Sequence, residues 1–360
     1  MNILVISFAD IAYDGRLREL IRIAELLGTV TFLGKKELIG DESKGFARLS
    51  LQYLNAICRS KIFFRKYGPF DIILADNRRA LLPAYRLKRM SSDMFLVSDA
   101  RELYLINDVK GLIAKLGCLI EQFILPKSDV VIAANSFRAK FMEEYYKLKR
   151  PVLVFENLRK LSFGDRHPEE FENTKLANNL NTGRINIVST SGCIISRGND
   201  RLVHAMKLFE NEVHLFLVGR SPESDVSHIK EIIEINRISN VTIIDQVDEA
   251  TLKFILTHCH IGVVNYHQND LNNRYCASGK IYEFLFDGLP VLTTENPPLQ
   301  ELVETYSIGV ADDAFIYGLR ELIENYDYFK RNVISYAKTV SIDDNNNILA
   351  KAILDRKSGD

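Results

Sequence analysis

The chain has 360 residues, 47 % of them hydrophobic and 26 % charged, with a formal net charge of −1. That is a globular composition with length for two domains of ordinary size, which excludes a disordered, collagenous or disulfide-stapled chain. No run of about eighteen apolar residues reads as a membrane span, and Met1 to Ala9 enters a buried-strand pattern without the basic n-region of a secretion signal.

Short apolar runs alternate with amphipathic stretches from end to end, the βαβ pattern of parallel sheets covered by helices. The predicted strands of the first half are Asn2 to Phe8, Val30 to Leu33, Ile72 to Ala75, Met94 to Ser98, Val130 to Ala133 and Val152 to Phe155, with helices such as Arg16 to Leu27 and Gly111 to Leu125 between them. A polar, Asn-rich interval from His167 to Thr182 reads as an interdomain connection. The alternation then resumes with Ile185 to Ser189, Leu215 to Val218, Val241 to Ile244, Ile261 to Asn265 and Val291 to Thr293, and Asp343 to Leu354 reads as a final helix with a polar tail.

The expected fold is therefore α/β, with two doubly wound Rossmann-like domains facing a cleft. Residues 1–165 form the first domain, 166–184 a linker, 185–340 the second domain and 341–360 a C-terminal helix and tail. In such sheets ligands bind beyond the C-terminal ends of the strands, so residues just after strands are the first site candidates.

Charge is distributed unevenly. Residues 1–160 carry 27 Lys and Arg against 18 Asp and Glu, and the remainder 19 against 29. Much of the excess lies in Arg59 to Tyr67 and Arg78 to Arg89, where bases are interleaved with apolar and aromatic residues. An anionic membrane surface and an ordinary solvated basic face both fit this pattern. No nucleic-acid motif accompanies it.

The motif search excludes several chemistries. There is no Gly-x-Gly-x-x-Gly and no P-loop. The five cysteines, Cys58, Cys118, Cys193, Cys259 and Cys276, lack the close pairs of zinc or redox motifs and read as reduced cytoplasmic thiols. His258 and His260 have no evident third ligand, so no metal and no cofactor is expected.

The most informative stretch runs from Ser278 to Pro290. Ser278 is a helix N-cap type, Gly279 admits a ligand to the backbone, and the unpaired amides of a first turn suit an anion. Gly288 and Pro290 stop the helix. Lys280 and Glu283 share a face, offering a cation for phosphate oxygens and a carboxylate for a ribose or sugar diol, as a nucleotide diphosphate requires. An ordinary surface ion pair on a well-capped helix is the alternative.

The second half resembles the nucleotide-sugar domain of GT-B fold glycosyltransferases, most closely the large retaining family 4 (glycosyl transferases group 1). The likeness rests on Ser191-Gly192-Cys193, Ser196-Arg197-Gly198 followed by Leu202 and Ala205, Leu217-Val218-Gly219, Asn240-Val241 and the segment from Lys280 to Pro290, in that family's order and spacing. The first half resembles its acceptor domain through Tyr13-Asp14-Gly15-Arg16 and Asp99-Ala100-Arg101-Glu102-Leu103-Tyr104.

The resemblance implies a metal-independent transferase moving a sugar from a nucleotide-diphosphate sugar to a lipid-linked or polysaccharide acceptor, while the reduced thiols point to the cytoplasm and the charge asymmetry to a membrane surface. It implies that Glu283 binds the ribose, that Ala277, Ser278, Gly279 and Lys280 face the phosphates and donor sugar, and that Arg197 meets the diphosphate. Gly192 is implied to admit the phosphates, and Gln246 and Val247 to lie beside the base. Arg101, Glu102 and Asp14 are the implied catalytic candidates.

The sequence departs from the family at three places. Tyr275 stands where members commonly carry a second glutamate, Cys193 where a further base is common, and Arg101 where a His is usual. These departures leave two other classes in view, a nucleotide-sugar epimerase of the same architecture and a non-catalytic relative that binds or scaffolds.

Overall fold

In a computed structural model the described residues are 1–12, 14–39, 46–91, 93–172 and 174–359. Tyr13, one residue of the first-half motif, lies outside them. The chain divides into two compact units, one made of Met1–Asn157 with Ser341–Asp360 and the other of Leu158–Val340.

The first unit is built from β1 (Asn2–Ile6), α1 (Gly15–Leu27), β2 (Thr29–Leu33), α2 (Lys35–Ile39), α3 (Phe46–Tyr67), β3 (Ile72–Asp76), α4 (Asn77–Lys88), β4 (Phe95–Asp99), α5 (Leu112–Ile124), β5 (Val130–Ala133), α6 (Ser136–Tyr145) and β6 (Leu153–Val154). The second contains α7 (Glu169–Glu172), α8 (Lys175–Leu180), β7 (Ile185–Ser189), α9 (Asn199–Met206), β8 (Val213–Val218), α10 (Glu223–Ile235), β9 (Val241–Ile244), α11 (Glu249–Thr257), β10 (Ile261–Val264), α12 (Leu271–Arg274), α13 (Gly279–Phe286), β11 (Val291–Thr293), α14 (Pro297–Tyr306), β12 (Gly309–Ala311), α15 (Ile316–Glu324) and α16 (Tyr326–Ala337). The chain then returns to the first unit with α17 (Ile342–Ser358).

Each unit holds one six-stranded sheet, ordered β2-β1-β3-β4-β5-β6 and β12-β11-β10-β7-β8-β9, with every pairing parallel. The central strands are buried on both faces, as crossover helices demand, which is why they read as unbroken apolar runs. The strand order reverses between β1 and β3 in one sheet and between β7 and β10 in the other. Those switch points open the crevices where doubly wound sheets take ligands.

Two segments differ from the sequence-based expectation. The sequence reads 166–184 as a linker, yet 158–184 packs into the second unit, with Leu161, Phe171 and Leu180 buried in its core and Phe171 stacked on Phe254. The Asn and Glu residues of that stretch mask three well-spaced apolar anchors. A sixth strand, β12, pairs with β11 where no strand is expected, since only three residues, one of them glycine, form it.

Candidate functional site

In the second unit the residues around the switch point converge on α13. Ser278 sits at its N-cap without donating to or accepting from the helix backbone, and its hydroxyl is buried with no hydrogen-bond partner. Lys280 does not pair with Glu283. Its ammonium reaches back to donate to the Thr190 carbonyl just after β7, at 2.5 Å. Burial, joined by the nearby charge of Arg197, pushes the Lys280 pKa down to about 8.

Arg197 lies at the end of a single 3-10 turn, with its guanidinium over the Tyr266 ring at 3.9 Å. Glu283 is 3 % exposed and accepts an ion pair from Arg159 at 2.8 Å. Burial raises the Glu283 carboxyl, and Arg159 and Lys280 oppose that shift. The result is a cluster of cations around the start of an eight-residue helix, with an inward hydroxyl left over.

The loops that carry these groups are fixed by buried polar side chains. Asn265, after β10, donates to Asn199, which donates to Ser191 and to the Ile194 carbonyl, each at 3.0 Å. Thr294 accepts from the Tyr266 amide, and Asn296 donates to the Asn273 carbonyl. Gly192 has a φ of 60°, and a Cβ there would lie 2.7 Å from the Gly219 carbonyl oxygen. Its glycine is demanded by this loop crossing, whatever ligand approaches.

The other expected donor residues are placed as follows. Gly279 opens α13 and Ala277 precedes its cap, both partly exposed. Gln246 is exposed after β9, while Val247 packs against the core beside it. Cys193 is fully buried in the core, so the position where a further base was looked for points away from solvent.

In the first unit Arg101 and Asp14 come together, with both Asp14 oxygens accepting from Arg101 at 2.9 and 2.7 Å. Asp14 also caps α1 by accepting from the Leu17 amide. Arg101 further lies 3.7 Å from Asp76, whose carboxylate accepts from the Ser7 hydroxyl at 2.5 Å. Burial pushes Asp76 up to about 6, partly opposed by Arg101. Ser7 follows β1 and Asp76 ends β3, so this cluster occupies the first sheet's switch point.

Neighbouring Arg16 and Asp99 form a buried bidentate pair, at 2.9 and 2.6 Å. Glu102 stands apart, exposed to solvent. Asp76, Tyr266, Arg159 and Thr190 are absent from the sequence-based set. The available signal was position alone, since Asp76, Thr190 and Tyr266 end or follow apolar strands. Among the described residues no group of three or more His, Cys, Asp or Glu is placed to hold a metal ion, and no helix is long and apolar enough to cross a membrane.

Two parallel six-stranded sheets in separate units, each with its helices, give the α/β fold of the GT-B glycosyltransferases. By sequence, the chain matches no protein-family model and no curated protein. By structure it is similar to sucrose-phosphate synthase from Thermosynechococcus elongatus, at 15 % identity and a TM-score of 0.74 over 100 % of both chains. It is also similar to Anabaena HepE in complex with UDP-glucose, at 14 % identity and 0.72 over 98 % of this chain and 99 % of that one. A glycosyltransferase from Rickettsia africae matches at 16 % and 0.69 over 98 % of each chain.

Proposed function

We propose that the protein is a glycosyltransferase that moves a sugar from a nucleotide-diphosphate sugar to a lipid-linked or polysaccharide acceptor. The observation that carries this reading is the half-buried Lys280 beside Arg197 at the start of α13, next to the unpartnered Ser278 hydroxyl. A diphosphate would supply the anion that these groups lack. Structural likeness to HepE, which was determined with UDP-glucose, supports the same donor class.

In this reading Lys280, Arg197 and the α13 amides bind the diphosphate and stabilise the charge that grows on it as the glycosidic bond breaks. Charge stabilisation from these fixed groups lets the reaction run without a metal ion. Glu283, paired with Arg159, accepts from the ribose hydroxyls, with Gln246 and Val247 beside the base. At the first switch point Asp14 and Asp76 hold Arg101 beyond the C-terminal ends of the strands, where the acceptor would bind. Asp14 already holds Arg101 and caps α1 through the Leu17 amide, so in this reading it positions those groups rather than serving as the protein base. A retaining path, in which the departing phosphate steers the acceptor proton, needs none. The excess of bases in residues 1–160 fits work at the cytoplasmic face of an anionic membrane.

Calorimetric titration with UDP, GDP, dTDP, ADP and CMP and their sugar conjugates tests the donor site. One of them is expected to bind, and Glu283→Ala should weaken it roughly tenfold to a hundredfold, the range of one charge-assisted hydrogen bond. Arg159 is half-exposed, so water takes over its charge and this variant should stay folded. Unchanged affinity would sink the assignment of Glu283. Nucleotide binding without turnover on any acceptor would favour the non-catalytic relative, a reading for which the buried Cys193 and the Arg101 tied to two carboxylates speak. Release of a free modified sugar without an acceptor would point to an epimerase.

A further inference from the structure

Helix α5 turns its largest apolar side chains outward. Leu112, Leu116, Leu119 and Phe123 are 76, 52, 49 and 60 % exposed, whereas the residues it buries are Gly117, Cys118, Glu121 and Ile124. The outward four are spaced by four, three and four residues, so they fall in one stripe along the helix. Four large apolar side chains aligned in water are a cost to a monomer that a covered face would not carry.

The surroundings of the stripe are basic. Lys115 is exposed on α5 itself, Lys127 follows it, Arg79 and Arg86 are exposed on α4, which packs against α5, and Arg89 is exposed just past the end of α4. Tyr85 of α4 meets Phe123 edge to face at 6.1 Å, and the Lys127 ammonium lies over the Tyr85 ring at 5.7 Å. The sole acid of these two helices, Glu121, is buried and paired with Arg78. Helix α3, with Arg59, Lys61, Arg65 and Lys66, packs in turn on α4.

We infer that the α4–α5 face docks on an anionic lipid bilayer, with α5 lying in the interface plane, its stripe in the acyl boundary and the flanking bases among the headgroups. An apolar stripe edged by lysine and arginine is the composition such a surface selects, and the exposed acids nearby, Glu102 and Asp108, lie on the loop before α5 rather than on either helix. A second copy of the chain fits poorly, because a two-fold contact would set these bases against themselves. Docking goes beyond the transfer reaction, and its test needs neither donor nor acceptor, so the two readings fail separately.

The test is flotation of the full chain with vesicles of phosphatidylcholine, alone or with roughly a third phosphatidylglycerol. Binding is expected with the anionic vesicles, weakening as salt rises, and falling at least about tenfold in Leu116→Glu/Leu119→Glu and in Arg86→Glu/Arg89→Glu. Because the chain has no tryptophan, Phe123→Trp supplies a single emitter that keeps the stripe apolar. Its emission should shift to the blue on anionic vesicles and be quenched by brominated acyl chains. Absence of vesicle binding, or bound protein whose Trp emission is unmoved, would overturn the inference. So would a dimer seen by light scattering that the Leu116→Glu/Leu119→Glu change dissolves.

Discussion

The ammonium of Lys280 titrates near the pH at which an enzyme works. Burial, with Arg197 alongside, brings its pKa from 10.5 to about 8, so the folded protein gives up this proton before the unfolded chain does. The stability cost of holding the charge is complete below about pH 8 and is relieved as pH rises toward 10.5. Donor binding has the opposite slope. A diphosphate needs the charged amine, so affinity should fall by up to about tenfold per pH unit above pH 8, with proton uptake on binding in that range. Lys280→Arg, charged at any of these pH values, should flatten the profile in calorimetry from pH 7 to 9.5. An unaltered slope in that variant would assign the titration to another group. Asp76 carries a second linkage. Its folded pKa of about 6 exceeds the unfolded 3.8, so its contribution to stability is lost as pH rises between those values. Asp76→Asn should therefore show a flatter dependence of Tm on pH from 4 to 7. Position along the sequence drew attention to Lys280 and Glu283, on a helix after a strand, whereas Arg197 came from the family resemblance. It hid the partners they choose, since Lys280 turns to a carbonyl ninety residues away and Glu283 takes Arg159 across the unit.

Helix α13 owes its position to the strand beneath it. Gly262 in β10 faces Phe284, and a methyl group at that glycine would collide with the aromatic ring. Gly262→Ala should cost about 1–3 kcal/mol by overpacking, read from denaturant midpoints, and should shift the helix that carries Lys280 and Glu283. Donor affinity is expected to drop with it, and a variant that lost stability but bound nucleotide as before would show that α13 absorbs the strain elsewhere. Eleven of the twelve strands follow the apolar runs of the sequence, most clearly the central ones, because a parallel strand buried on both faces has few polar residues to blur it. The pattern is less informative for helices. α5 reads as a helix, yet a segment apolar nearly all round does not declare which side packs, and here the small residues pack while the large ones face outward. The pair α7 and α8 shows the converse, as a polar stretch that anchors chiefly through Phe171 and Leu180, with Leu176 and Ala177 packed beside them.

The two units are not drawn from two continuous halves of the chain. Leu349, Ala350 and Ile353 of α17 complete the core of the first unit against α1, and Asn346 donates to Glu19 at 2.7 Å. A protein ending at Val340 should expose this apolar seam, so its first unit should melt earlier and bind a hydrophobic dye while nucleotide binding by the second unit persists. Equal melting of both transitions would deny α17 that part. The excess of bases in the first 160 residues has a counterpart in the acidic remainder, and only the sum conceals it. The return of α17 also sets an order of assembly. During synthesis a domain ordinarily folds as soon as it clears the ribosome, beginning from the N-terminus. Here residues 1–157 emerge first but wait through the translation of all 183 residues of Leu158–Val340 before the helix that closes their core is made. The second unit, contiguous in the chain, can finish while the first still shows the face of α1, and that interval is when a nascent-chain chaperone has an apolar surface to hold.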